Sequence, residues 1–276
     1  MDPRDLQNLL IPEIKERILV VASNYPIGEL GQVLEELSEY LQSLAISYLL
    51  AQGDVTEFRD NLIRSGHSRR YYLRRSVEEN NENDRHLALS RADSFFDSLA
   101  SGDLFLTKEI VDLSPINWHA NWEYEDDFQY RKFLGSQFLS TWAGEQDIPD
   151  RKKFLGDFEG SLDSPNSDPR YAVCAALVGR NHQVFNAALF EFMEQKKDQL
   201  DEKRDTIVTT EFPDSLFWLR NSVSTEGLAL IRLGNLTGIT VEEHLPLCPE
   251  FGRLPVESKE IADLFKEVDR ERSRFN

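Results

Sequence analysis

Residues 49–58 read LLAQGDVTEF, and this decapeptide decides the fold class. Upstream of it, Leu30, Val33, Leu34, Leu37, Leu41, Leu44, Ala45 and Tyr48 step by threes and fours, the spacing that gathers apolar side chains on one face of an α-helix. Gly53 supplies the backbone freedom that ends a helix, and Asp54 supplies a carboxylate to cap the next one. Val55, Phe58 and Leu62 then mark the inward face of a second helix, so the decapeptide is the turn of a helical hairpin.

The same grammar returns three times. SLASGDLFLT, at 98–107, repeats the glycine-aspartate turn between a run from Asp84 through Leu87, Leu89, Phe95, Phe96 and Leu99 and a second helix with Leu104, Leu106 and Ile110. Tyr171, Val173, Ala176 and Leu177 lead to Gly179 and on to Val184, Phe185, Leu189, Phe190 and Met193, and LALIRLGNLTG ends at Gly238. The turns are unevenly spaced, so the expectation is an all-α fold of antiparallel hairpins in an irregular array rather than a strict repeat. At most one minor extended piece is expected, TIVTTEF at 206–212, rich in β-branched residues. HLPLCPEFGRLP should form an ordered irregular strap, followed by a charged helix over 258–273.

With 276 residues the chain can form a single helical domain. Its alternative organisation is two packed halves, 1–143 and 170–276, joined by 144–169. That joining segment holds two turn-rich stretches around a short helix with Phe154, Leu155 and Phe158. Cys174 and Cys248 are far apart and lack metal or redox spacing, which points to reduced thiols. There is no cationic-then-apolar start and no apolar run of membrane-spanning length, so a cytoplasmic protein that neither enters nor coats a membrane is expected. The formal charge of −18 repels nucleic acid and attracts cationic partners.

The acids concentrate in NWHANWEYEDDFQYRKFL, 117–134, where Glu123, Glu125, Asp126 and Asp127 stand among Trp118, Trp122, Tyr124 and Phe128. Aromatics anchor cores and interfaces, whereas a block of like charge resists burial until something neutralises it. These six residues, the four acids with Trp118 and Trp122, are the candidate partner-binding set. The competing reading is a solvated or internally paired face, with Arg69 or Arg70 of SGHSRRYYLRR reaching across and Arg74 and Arg75 pairing with Glu78 and Glu79 four residues on. Catalysis has no motif to stand on. The five histidines show no ligand spacing, and neither a nucleophile elbow, a phosphate loop nor a calcium hand occurs, so no catalytic residue, metal or cofactor is expected. A hydrolase built on Glu123, Glu125 or Asp127 with His119 would need a pocket gathering those groups.

Three stretches carry a family resemblance: HSRRYYLRR at 67–75, the block from Ala100 to Leu134 that contains EYEDDF, and SVSTEGLALIRLGNLTGITVEEHLPLCP at 222–249. Over about residues 67–250 the chain resembles the immunity proteins of bacterial polymorphic toxin systems, most nearly immunity protein 49. The resemblance implies a helical, non-enzymatic cytoplasmic protein that binds a cognate toxin encoded beside it. The partner would be a basic toxin domain whose cationic groove is occluded. An acidic helical adaptor for some other cationic protein is the alternative.

Overall fold

The computed structural model describes residues 3–23, 25–91, 93–144, 149–206, 213–241, 244–254, 261–266 and 268. The architecture is all-α, and among the described residues the sole extended pairing is an isolated bridge between Leu245 and Cys248. Helix α1 (Pro3–Ala22) packs along α2 (Ile27–Gln52), which forms the first hairpin with α3 (Val55–Glu78).

The turn forms as the sequence predicts. Gly53 adopts a left-handed conformation, φ +64°, and its N–H bonds back to Leu49, while the Asp54 carboxylate accepts the Glu57 N–H. The start of α2 is fixed by distant chain, because the Glu79 carboxylate accepts the Ile27 N–H at 2.8 Å. Gln42 and Ser65, facing each other across the hairpin, meet the fully buried Asp97 of α4 (Asp93–Ser101) at 2.7 and 2.6 Å. The second glycine-aspartate turn joins α4 to α5 (Leu104–Leu113), with Asp103 capping through the Leu106 N–H.

One expectation fails between them. Asp84 to Arg91 is two short 3-10 turns, Arg85–Leu87 and Leu89–Arg91, rather than the start of a helix. Arg69, buried in α3, holds this segment in place by donating to the carbonyl oxygens of His86, Leu87 and Ala88, the last two at 2.8 and 3.2 Å, while the segment's own backbone bonds span three residues, Leu87 to Asp84, Ala88 to Arg85 and Arg91 to Ala88. His86 packs so closely on Gly31 that any β-carbon there would collide with its ring.

Helix α6 (Glu125–Trp142) packs on α5 and is followed by α7 (Pro149–Ser161), the pair α8 (Pro169–Gly179) and α9 (His182–Thr206), α10 (Pro213–Asn221) and α11 (Thr225–Leu236). Later helices close on earlier ones: α11 lies against α4, Gln42 donates to Thr225 at 2.9 Å, and Arg220 pairs with Glu39. One apolar cluster runs through these contacts, centred on large buried rings such as Phe58, Phe96, Phe133 and Phe185.

The strap after α11 is ordered, with a 3-10 turn at Glu250–Arg253. The extended piece expected at 206–212 lies outside the described residues apart from Thr206, which ends α9. Most of the expected terminal helix lies outside them too, and its described part is irregular through Asp263 and helical only at Lys266 and Val268. Tertiary contact overrides the helical pattern here. Asp263 is held by Arg70 at 2.6 Å, and Phe265 is buried in a stack on Tyr71, ring centres 4.4 Å apart.

Candidate partner-binding site

The acidic-aromatic stretch splits into a loop and a helix start. Trp122 and Glu123 donate their N–H groups to the His119 carbonyl, and the Trp118 indole donates to the Glu123 carbonyl at 3.1 Å. Trp122 lies half-buried with its ring stacked on His119, centres 4.0 Å apart, whereas Tyr124 is 80% exposed. Helix α6 begins at Glu125 with no side-chain cap, and its first turn holds Glu125, Asp126 and Asp127. Three carboxylates beside four unpaired N–H groups suit the positive end of the helix dipole, so the acids have a structural use there.

The six predicted residues do not converge on one point. Glu123 turns back into the fold, where its carboxylate accepts the Ser90 N–H at 2.8 Å. Burial raises its pKa against that bond. Asp126 and Asp127 line a polar cleft of about 720 Å3 with Arg131, Asp168, Arg170 and Glu226. Glu125, Trp118 and Trp122 are not among the residues that form it.

The cation expected to neutralise these acids is corrected by the geometry. Arg69 is spent on carbonyls, Arg70 on Glu109 and Asp263, Arg74 on Glu109, and Arg75 on Glu78 and Glu79, so the i, i+4 pairing holds for Arg75 and not for Arg74. Arg170 takes their place, bridging Asp126 at 2.9 Å, Asp127 at 3.0 Å and Asp168 at 2.7 Å. Burial opposes its charge, but the bonds from Asp168 and Asp126 outweigh that and raise its pKa. Burial pushes Asp127 up in spite of Arg131 and Arg170. One guanidinium thus serves three carboxylates, while Lys196 pairs with Glu226 and Arg131 with Asp93 at 2.9 Å. Local spacing gave no hint of Arg170, which stands more than 40 residues from Asp126 and Asp127.

Of the groups a hydrolase was expected to gather, the cleft holds only Asp127. His119 stacks on Trp122, and His119, Glu123 and Glu125 are absent from the cleft's lining. Among the described residues no group of three or more His, Cys, Asp or Glu side chains is placed to hold a metal ion. Both thiols are buried and held protonated, Cys248 being pushed up to about 12 by burial. No helix among the described residues is long and apolar enough to cross a membrane.

No curated protein and no solved structure matches the chain. A family model described as immunity protein 49 does, from residue 51 to residue 251, so the match takes in the first hairpin turn, the acidic-aromatic stretch, the cleft and the strap as far as Phe251. Covering well over half of the 276 residues, it establishes that this chain belongs to the immunity protein 49 family.

Proposed function

We propose that the protein binds and neutralises a cognate toxin in the cytoplasm, acting by occupation rather than catalysis. The family match over residues 51–251 is the observation that carries this reading. The charge of −18 supports a basic partner, and steering by such a field speeds encounter with a cationic surface. Toxins that act on nucleic acid carry cationic grooves, which makes occlusion of one the economical mechanism.

The proposed contact surface is the start of α6 and the loop before it. Trp118, Trp122 and Tyr124 provide ring area, Glu125 an exposed carboxylate, and Asp126 and Asp127 a negative cleft wall already held rigid by Arg170. Glu123 serves this surface from behind by tying the loop to Ser90. Rigid groups lose little entropy on docking, so the internal ion pairs aid recognition.

The test is protection in cells. Co-expression with the product of the gene beside its own should restore growth that the toxin alone abolishes, and a double reversal, Glu125→Lys with Asp127→Lys, should weaken that rescue. Growth arrest that is unchanged by the wild-type chain would remove the proposal.

A further inference from the structure

The seam between α5 and α6 opens into a groove of about 410 Å3, separate from the polar cleft except that Arg131 lines both. Leu89, Phe95, Val111, Leu139 and Phe154 wall it, and Ile116, 73% exposed, borders it. At the far end of the same helix pair, Phe105, 74% exposed, meets Trp142 edge to face at 5.0 Å. Single apolar residues are common on surfaces, but a ring pair, an isoleucine and an apolar groove along one seam form a patch of the kind that docks a protein.

The charges around it say what kind of protein. Lys132, Ser136 and Leu139 of α6 line the groove, and Glu125, seven residues before Lys132, falls on the same side of the helix beyond that lining. Glu125 is exposed and makes no ion pair among the described residues. Lys132 is engaged over the rings of Phe128 and Phe154, at 5.4 and 4.9 Å, and Lys108 covers Asp112. The groove therefore carries Arg131, held by Asp93, and Lys132 in its wall, and the unpaired Glu125 carboxylate stands beyond its lining on the same side of α6, in a strongly acidic chain. A second apolar depression, around Phe190, Leu245 and Phe251, has its carboxylate, Glu250, 2.9 Å from the His244 imidazole.

We infer that the α5–α6 groove is the anchor site for the toxin, and that it takes one large apolar side chain, aromatic or branched aliphatic, flanked by basic residues that meet Glu125. This rests on the immunity reading above and adds to it a pocket and the chemistry of its occupant. A buried apolar anchor ringed by charges is the arrangement that concentrates binding energy in few residues.

The experiment is calorimetric titration of the full-length chain and three variants with the purified product of the neighbouring gene. Ser136→Arg puts bulk and positive charge into the groove at a helical position where arginine is well tolerated, and Ile116→Ser removes the apolar edge outside any helix. Phe190→Ser alters the other depression. We expect affinity to fall about 30-fold or more for Ser136→Arg and about tenfold for Ile116→Ser, with Phe190→Ser within roughly twofold of wild type. Wild type binding while both groove variants match it would overturn the groove and leave the immunity reading standing. No binding by wild type would overturn both. Should Ser136→Arg lose its helical circular dichroism, Ile116→Ser decides alone.

Discussion

Asp97 shows how far one side chain can shape the molecule's response to pH. It is buried between α2, α3 and α11, and burial raises its pKa to about 7 although Ser65 and Gln42 both donate to it. Between its ordinary pKa near 3.8 and about 7 the folded state holds a proton that the unfolded state has released, so its contribution to stability is full at low pH and is lost as pH rises through that window. His67 acts in the opposite sense. Burial and Arg70 lower its pKa to about 4, so the unfolded chain takes up a proton first and stability is lost as pH falls from about 6.5 to about 4. Asp97→Asn keeps the acceptor for Gln42 and offers an N–H to Ser65, and it removes only the first effect. Urea unfolding should show the variant gaining roughly 2–4 kcal/mol on wild type between pH 4 and pH 7.5. Parallel curves for the two proteins would show that Asp97 ionises normally in the fold.

Among elements, the helix ends are the best test of why this sequence folds as it does. Gly53 at φ +64° and Asp54 capping α3 form a turn in which each residue has one physical task. Gly53→Ala has open space around it and so costs only backbone strain, about 1 kcal/mol, and Asp54→Ala loses a cap for about 1 kcal/mol more. Chemical unfolding of the two variants checks this, and no loss in either would contradict the turn. These turns were legible in sequence because glycine, aspartate and a three-four apolar rhythm are local signals. The 3-10 segment at 85–91 was not, since it is held by Arg69 from another helix, and neither was Arg170, which joins Asp168 at the cap of its own helix to Asp126 and Asp127 of the distant α6. For the same reason α2 starts at Ile27, three residues before its apolar rhythm begins at Leu30, at the point where Glu79 receives it. The α5–α6 groove escaped notice because Phe105 and Ile116 become conspicuous only when packing leaves them outside.

At the scale of the molecule the described residues form an acidic helical array in which the charged segment near residue 125 is partly consumed by its own fold. Arg170, Ser90 and the α6 dipole answer Asp126, Asp127 and Glu123, which leaves Glu125, the exposed rings and the overall field of −18 to act outward. Sequence alone identified this segment as the centre of interest, but it could not divide the acids into those that pair within the fold and those left exposed. That division depends on which side chains the fold brings alongside. The measurement that tests the central claim most directly is the affinity of the purified chain for the product of the gene beside its own, followed from low to high salt. The account predicts a tight one-to-one complex whose association slows and whose affinity weakens as salt screens the acidic field. Absence of a complex at low salt would contradict it.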